Sequence, residues 1–349
     1  MIVRNEEAKL QRCLSSVAPY VDEMIIVDTG STDQTIAIAT MFGAKIAHYE
    51  WINDFAAARN YALSLSSSRW NIVLDADEYI EQFDVEAINQ FMQEHRAVGR
   101  IHRISETMEE NEHNYTSDYI TRLIPVDHRF KGRIHEQVVT DLPRVNVPIV
   151  IQHDGYLHLN KSDRNIPILQ LEVRANPNDP YYYYQLAKEY KGIGQLSESM
   201  ALFEQAISRL SHKERYAPNV FVEYMYVLQK MQQYEFLIDM ISSPPNCVHG
   251  FADFHFACGV ICLDVMISNP QKYMSLLPLI EQSYRRCLEI GETEVYDTVR
   301  GTGSYAALYN LGNYYEVLGQ EAEAIMCYQS AAQQGYQKAK LRILDLTRE

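Results

Sequence analysis

Apolar and polar positions change period twice along this chain. Up to about residue 80, short apolar runs alternate with segments whose apolar residues recur at helical spacing. Met1-Ile2-Val3 reads as the last residues of a strand and runs straight into polar Arg4-Asn5-Glu6-Glu7. The strand is expected to begin earlier, so the chain is read as truncated or differently started. Leu10, Cys13, Leu14 and Val17 share one helix face. Met24-Ile25-Ile26-Val27 is continuously apolar, as in a strand covered on both faces. Thr29 to Asp33 supplies a turn and helix cap, and the helix beyond it carries Ile36 and Ala39. Lys45–His48 is a third short strand. Asp54 is placed to cap a helix with Phe55, Ala58, Ala62 and Leu65 on its apolar face. Asn71-Ile72-Val73-Leu74 is a fourth strand. Strands separated by helices of roughly ten residues imply βαβ units and a mostly parallel sheet.

From about 99 to 158 the pattern becomes β-rich, with runs at Tyr119–Ile124, Gln137–Thr140 and Ile149–Gln152 punctuated by Gly and Pro. From about 165 it is helical, and two stretches resemble each other. Aligning Gly194 with Gly319 pairs Ala187 with Gly312, Tyr190 with Tyr315, Phe203 with Tyr328 and Ala206 with Ala331. Small residues let two helices approach and aromatics fill the gap, the signature of tetratricopeptide-type helix pairs of about 34 residues. The material between them, about 212–295, is helical but degenerate, broken once at Pro244-Pro245. The fold class expected is α/β plus all-α: a Rossmann-like nucleotide-sugar domain over 1–160, then a tetratricopeptide-like domain over 161–349.

Charge and cysteine content narrow the function classes. The net charge is −15 and no Lys/Arg run exceeds two residues, which argues against a nucleic-acid partner. Six dispersed cysteines without a C-x-x-C pair fit buried, reduced thiols in the cytoplasm. No apolar run reaches the ~18–20 residues of a membrane span.

Four polar constellations fall at the C-terminal ends of the four expected strands: Asn5-Glu6, Asp28, the segment from Trp51 to Asn60, and Asp75-Ala76-Asp77. In an open α/β sheet that edge binds ligands. In extended chain Asp75 and Asp77 point the same way, so two carboxylates can face one cation, and oxygen ligands suit Mg²⁺ or Mn²⁺. Asp28 is placed to accept from a uracil imide or a ribose hydroxyl, whereas Asp33 braces the turn. The Arg59 guanidinium suits a diphosphate. His135 beside Glu136 pairs a metal ligand with a general base, in either assignment; His153-Asp154-Gly155-Tyr156 is a second His-bearing turn. Arg122 falls on an expected strand.

Taken in order, Ile2-Val3-Arg4-Asn5-Glu6-Glu7, the segments Ile26 to Thr35 and Asp54 to Asn60, Leu74-Asp75-Ala76-Asp77-Glu78 and Gly132 to Gln137 closely resemble bacterial family 2 glycosyltransferases of the GT-A fold that carry tetratricopeptide repeats. That group includes the peptide S-glycosyltransferases of glycocin biosynthesis, of the sublancin and thurandacin type. The resemblance covers residues 1–210 by motif and the rest by architecture. It implies a UDP-sugar donor contacted by Asp28 and Arg59, with Asn5, Glu6 and Ala76 in the same nucleotide-sugar site. Asp75 would hold ribose or sugar hydroxyls. Asp77 would ligand Mn²⁺ or Mg²⁺, completed by His135 or His153. Transfer would invert the anomeric centre with Glu136 as base, onto a Cys thiol or Ser hydroxyl of a bacteriocin precursor peptide, in a protein expected to be a homodimer.

Three rival readings remain. One is a glycosyltransferase acting on a polysaccharide or another protein. A sugar nucleotidyltransferase calls for a Gly-rich phosphate loop after the first strand, which Arg4-Asn5-Glu6-Glu7 lacks. A non-catalytic repeat scaffold has no need of the intact Asp75 and Asp77.

Overall fold

The computed structural model describes residues 1–94, 96–109, 112–154, 161–211, 213–293 and 298–346. Two compact units emerge, Met1–Pro177 and Asn178–Glu349. The expected division after residue 160 lies outside the described residues, and the helix that follows it groups with the first unit.

The first unit opens with β1 (Ile2–Val3), α1 (Leu10–Val17), β2 (Ile25–Asp28), α2 (Thr35–Met41) and β3 (Lys45–His48). The three strands form a parallel sheet in the order β1-β2-β3. Val3 lies opposite Asp28, and Asp28 opposite His48, so the three strands end level. Next come α3 (Phe55–Ser64), β4 (Trp70–Ile72), β5 (Glu78–Phe83), α4 (Val85–Glu94), β6 (Val98–Glu109) and β7 (Glu112–Pro125). A small ribbon, β8 (Arg129–Lys131) with β9 (Gln137–Val139), precedes β10 (Arg144–His153) and α5 (Ser162–Ala175).

The expected fourth parallel strand is where sequence and structure part. β4 ends at Ile72 and pairs antiparallel with β7, Ile72 opposite Leu123. It belongs to a second, mixed sheet running β7-β6-β10-β5. Apolar runs report burial on both faces and do not encode strand direction; here the partner is a later strand rather than β1.

Helix α1 is the joint between these sheets. All four of its expected face residues are buried. Leu10 and Leu14 pack with Val3, Ile26 and Ala39 under the parallel sheet, while Cys13 and Val17 pack with Leu74, Ile80, Ile149 and Ile151 under the mixed one. At ~1.5–3 kcal/mol per fully buried aliphatic side chain, this single helix holds the level strand ends beside the β4–β5 turn. A cavity of about 290 Å³ lies at the opposite ends of the strands, lined by Met1, Ile25, Trp70, Ile72 and Phe83 among others.

The second unit is built from α6 (Pro180–Gly192), α7 (Leu196–Arg209), α8 (Ala217–Lys230), α9 (Tyr234–Ser242), α10 (Ala252–Ser268), α11 (Pro270–Tyr273), α12 (Leu277–Ile290), α13 (Tyr305–Val317), α14 (Glu321–Gln333) and α15 (Gln337–Leu346). The two matched stretches are the antiparallel pairs α6/α7 and α13/α14. Ala187 packs in the same core as fully buried Phe203. At Gly312 an added Cβ would sit 2.5 Å from the Tyr328 ring, so only glycine admits that aromatic. The degenerate middle uses the same device: a Cβ on Gly259 of α10 would meet the Tyr284 ring of α12 at 2.6 Å. The tyrosines follow suit. Tyr184 and Tyr315 are buried, and Tyr181, Tyr183, Tyr305, Tyr309 and Tyr314 pack against the core. None of the six cysteines forms a disulfide with another described residue. Among the described residues no helix is long and apolar enough to cross a membrane.

One buried carboxylate gives this unit a pH dependence. Asp253 on α10 accepts from the Val299 N–H at 2.8 Å and from the Thr302 hydroxyl. Burial pushes its pKa up from 3.8 to about 7, against those hydrogen bonds and reinforced by Glu292 and Glu223. Between these values the folded protein holds a proton that the unfolded chain has released. Stability contributed here therefore falls as pH rises from about 4 to about 7. Thermal unfolding midpoints from pH 5 to 8 should decline more steeply in wild type than in Asp253→Asn; parallel curves would contradict the assignment.

Candidate active site

The level strand ends carry their side chains into a loop framework. At the end of β1, Asn5 adopts a positive φ of 54°. Its Oδ1 accepts from the Thr32 N–H at 2.8 Å, and its own N–H donates to the Ser31 hydroxyl at 3.0 Å. Asn5 thus ties the loops after β1 and β2 together. Asp28 is buried and accepts N–H groups from Gly30 and Ser31, both at 3.1 Å, with His48 Nδ1 3.5 Å away. These hydrogen bonds outweigh desolvation and hold its carboxyl below the usual range. Asp33 braces the turn, accepting from the Thr35 and Glu7 N–H groups at 3.0 and 3.1 Å.

The Asp75-Ala76-Asp77 segment does not continue the strand. A turn closes with the Glu78 N–H donating to the Asp75 carbonyl at 3.1 Å, so the two carboxylates diverge rather than facing one cation. The turn breaks the two-residue alternation of extended chain on which the shared-cation expectation rested. Asp75 turns inward. Arg59 donates to Oδ1 at 2.7 Å and Arg122 to Oδ2 at 2.8 Å. Against the cost of burial, these two guanidinium groups hold the Asp75 carboxyl well below the ordinary range. Ala76 is buried in the core beneath the parallel sheet.

Arg59 comes from α3, whose start is capped as expected, Asp54 accepting from the Ala57 N–H at 2.9 Å. The guanidinium is 5% exposed and also binds the Glu136 carboxylate through Nε. Its Nη1 is buried with no hydrogen-bond partner among the described residues. Glu136 sits on the 132–136 turn, where His135 has a positive φ of 51°. That turn is pinned twice, by the Phe55 N–H to the Arg133 carbonyl at 2.8 Å and the Arg133 N–H to Glu172 of α5 at 2.7 Å.

Asp77 turns the other way. Its Oδ2 lies 3.5 Å from His153 Nε2 and 3.4 Å from Lys161 Nζ. Desolvation is more than offset by these two partners, and its carboxyl lies below the ordinary range. Of the two candidate histidines, His153 is the one set against Asp77. Glu6 is half-buried near the same group. Burial pushes its pKa up to about 7, with Asp77 and Asp75 raising it and Lys161 and Lys9 opposing. Asp154 takes Arg12 at 2.5 Å and Lys9 at 3.4 Å. Among the described residues no cluster of three or more metal-ligating side chains occurs. The carboxylate–imidazole pair offers two ligands, which fits a divalent cation that takes its remaining oxygens from a diphosphate and water.

Residues 1–150 match the family described as Glycosyl transferase family 2. This unit carries a family 2 glycosyl transferase domain. The chain is 24% identical over 319 residues to the SPbeta prophage-derived glycosyltransferase SunS of Bacillus subtilis, covering 83% of this chain and 64% of that protein. It is 56% identical over 78 residues to a TPR repeat-containing protein of Synechococcus elongatus, covering 22% of this chain and 19% of that one. The chain thus spans less than two thirds of each of these relatives. Among solved structures, MamA aligns with 53% of this chain and 99% of its own at 18% identity and a TM-score of 0.39.

Four participants in the transferase domain were not singled out from sequence: Lys161 beside Asp77, Asp154 with its two cations, buried Glu78 flanked by Arg122 and Arg103, and Ser105 against His153. Glu78 adjoins the Asp75-Ala76-Asp77 motif and Asp154 the His153 turn, and both were visible there; Lys161 and Ser105 depend on pairing with distant segments. Arg122, visible only as a strand residue, is the second cation on Asp75.

Removing the Arg59 guanidinium strands two carboxylates, at a cost of about 3–5 kcal/mol for breaking a buried ion pair. Urea unfolding of Arg59→Ala should show a loss of that order. A change below about 1 kcal/mol would mean that Asp75 and Glu136 find water instead.

Proposed function

We propose that this protein is an inverting, divalent-cation-dependent glycosyltransferase that moves a sugar from a UDP-sugar to a peptide, most readily to a Cys thiol. The observation that carries the reading is the Asp77–His153 pair beside the level strand ends of a family 2 domain. The likeness to SunS and the motif resemblance to peptide S-glycosyltransferases support the acceptor class. The helical repeats are of a kind that presents extended surfaces to peptides. Bound Mn²⁺ or Mg²⁺ would supply charge neutralisation at the leaving diphosphate, held by Asp77 Oδ2 and His153 Nε2.

In this reading the framework of Asn5, Asp28 and the Gly30–Thr32 backbone shapes the uridine end of the site. Asp75, already saturated by two arginines, fixes the turn that aims Asp77. The acceptor attacks the anomeric carbon opposite the leaving UDP, and a carboxylate takes its proton. Glu136 is the proposed base. Its Oε1 is engaged by Arg59, so proton transfer falls to Oε2. A thiol acceptor asks little of that base, since a free Cys titrates near ~8.5.

The test is transfer from UDP-glucose, UDP-N-acetylglucosamine and UDP-galactose to Cys- and Ser-containing peptides with Mn²⁺ or Mg²⁺, read by intact mass. Wild type should add the mass of one sugar residue to a Cys peptide, and Asp77→Ala should lower the rate at least ~100-fold. Addition to Ser peptides alone moves the acceptor to oxygen; no cation-dependent UDP release from any donor overturns the reading and favours a scaffold.

For the base, Glu136→Gln should lower kcat by ~100-fold or more while UDP affinity stays within about threefold. Loss of UDP affinity together with kcat would assign Glu136 to holding Arg59 instead, and would turn attention to Glu6.

A further inference from the structure

β6 and β10 run parallel, and their register places Ser105 directly opposite His153. On the far side of β10, Glu78 of β5 is the partner position, so the imidazole stands between two strands at the end of the sheet. Ser105 is 4% and His153 6% exposed. The Ser105 hydroxyl lies 3.1 Å from His153 Nδ1, while Nε2 faces Asp77 Oδ2 at 3.5 Å. Serine is thus the group on one ring nitrogen, and the candidate cation site is on the other.

The chemistry of the ring gives this arrangement a consequence. A neutral imidazole carries one N–H and one lone pair, and the partner of one nitrogen decides which of the two the other presents. With no cation, the Asp77 carboxylate is an acceptor, so Nε2 carries the proton and Nδ1 accepts from the Ser105 hydroxyl. To ligate a cation, Nε2 must present its lone pair and the proton must sit on Nδ1, where it needs an acceptor. One proton leaves Nε2 and one arrives at Nδ1, with no net change. A hydroxyl donates in the first state and accepts in the second, which neither a carbonyl nor an N–H in that place does.

We propose that Ser105 is a positioning residue that lets the buried His153 ring exchange tautomer and turn Nε2 from an Asp77 partner into a cation ligand. The proposal rests on the cation-dependent reading above, and the experiment separates the two. Mn²⁺ affinity is measured on the full chain with saturating UDP, by electron paramagnetic resonance of free Mn²⁺, for wild type, Ser105→Ala, Ser105→Thr and His153→Ala. Ser105→Ala should weaken Mn²⁺ binding by about 10-fold or more, the usual cost of losing the group behind a ligating histidine. Ser105→Thr should restore it, and UDP affinity without metal should not move. Equal Mn²⁺ affinity in wild type and Ser105→Ala, with loss in His153→Ala, overturns the role of Ser105 and leaves the cation site standing. No Mn²⁺ binding in wild type overturns both. Because a buried Ser→Ala change can also disturb folding, the wild-type ring is read directly through its ¹⁵N shifts. An Nε2–H tautomer in the apo protein that becomes Nδ1–H with Mg²⁺ and UDP is the expected result; the same tautomer in both states sinks the proposal.

Discussion

The site depends on one buried guanidinium. Arg59 reaches from α3 to Asp75 in the β4–β5 turn and to Glu136 in the turn before β9, joining three segments far apart in sequence. A cation so deep in the domain is tolerated because two carboxylates meet it, and each of them is tolerated because Arg59 is there. With Arg122 completing the second oxygen of Asp75, the turn is fixed in the orientation that sets Asp77 against His153 and Lys161. The ion cluster thus works as a bracket, and the chemistry is left to groups on its far side.

This division of labour bears on how paired aspartates are read. Two carboxylates at spacing two suggest equal partners, yet here a turn gives them different ones, two arginines for Asp75 and His153 with Lys161 for Asp77. Their cation partners split their roles. Glu136 stands between these classes: it shares the guanidinium with Asp75 but lies on a turn carried by a strained His135 backbone.

Much of this was legible in the sequence. The helical face of Leu10, Cys13, Leu14 and Val17 is buried as its spacing requires, because a 3.6-residue period leaves few alternatives. The repeat alignment holds to the level of Gly312 meeting Tyr328. The Asp54 cap is a local event within four residues and is written locally. What was not legible is what depends on distant pairing. Asn71–Leu74 carries no mark saying that its partner is Leu123 rather than β1, and nothing near Ser105 announces His153. Lys161 and Asp77 stand in different segments and meet only once β10 and α5 are in place.

The closely packed helix pairs of the second unit constrain more than their own stability. Gly312 has no room for a methyl group while Tyr328 is in place, and the Tyr328 hydroxyl is itself held by Asn313 at 2.8 Å and Glu316 at 2.7 Å. A larger residue at 312 therefore clashes unless 328 has already shrunk, and a smaller residue at 328 leaves a void unless 312 has already grown. The aligned positions of the first pair hold Ala187 and Phe203, a methyl in place of the glycine and a phenyl in place of the phenol, both fully buried in one core. Exchanging one solution for the other takes two substitutions with a less stable protein in between. Repeats in such a lineage would diverge by correlated steps at these paired positions, while their solvent-facing positions drift freely.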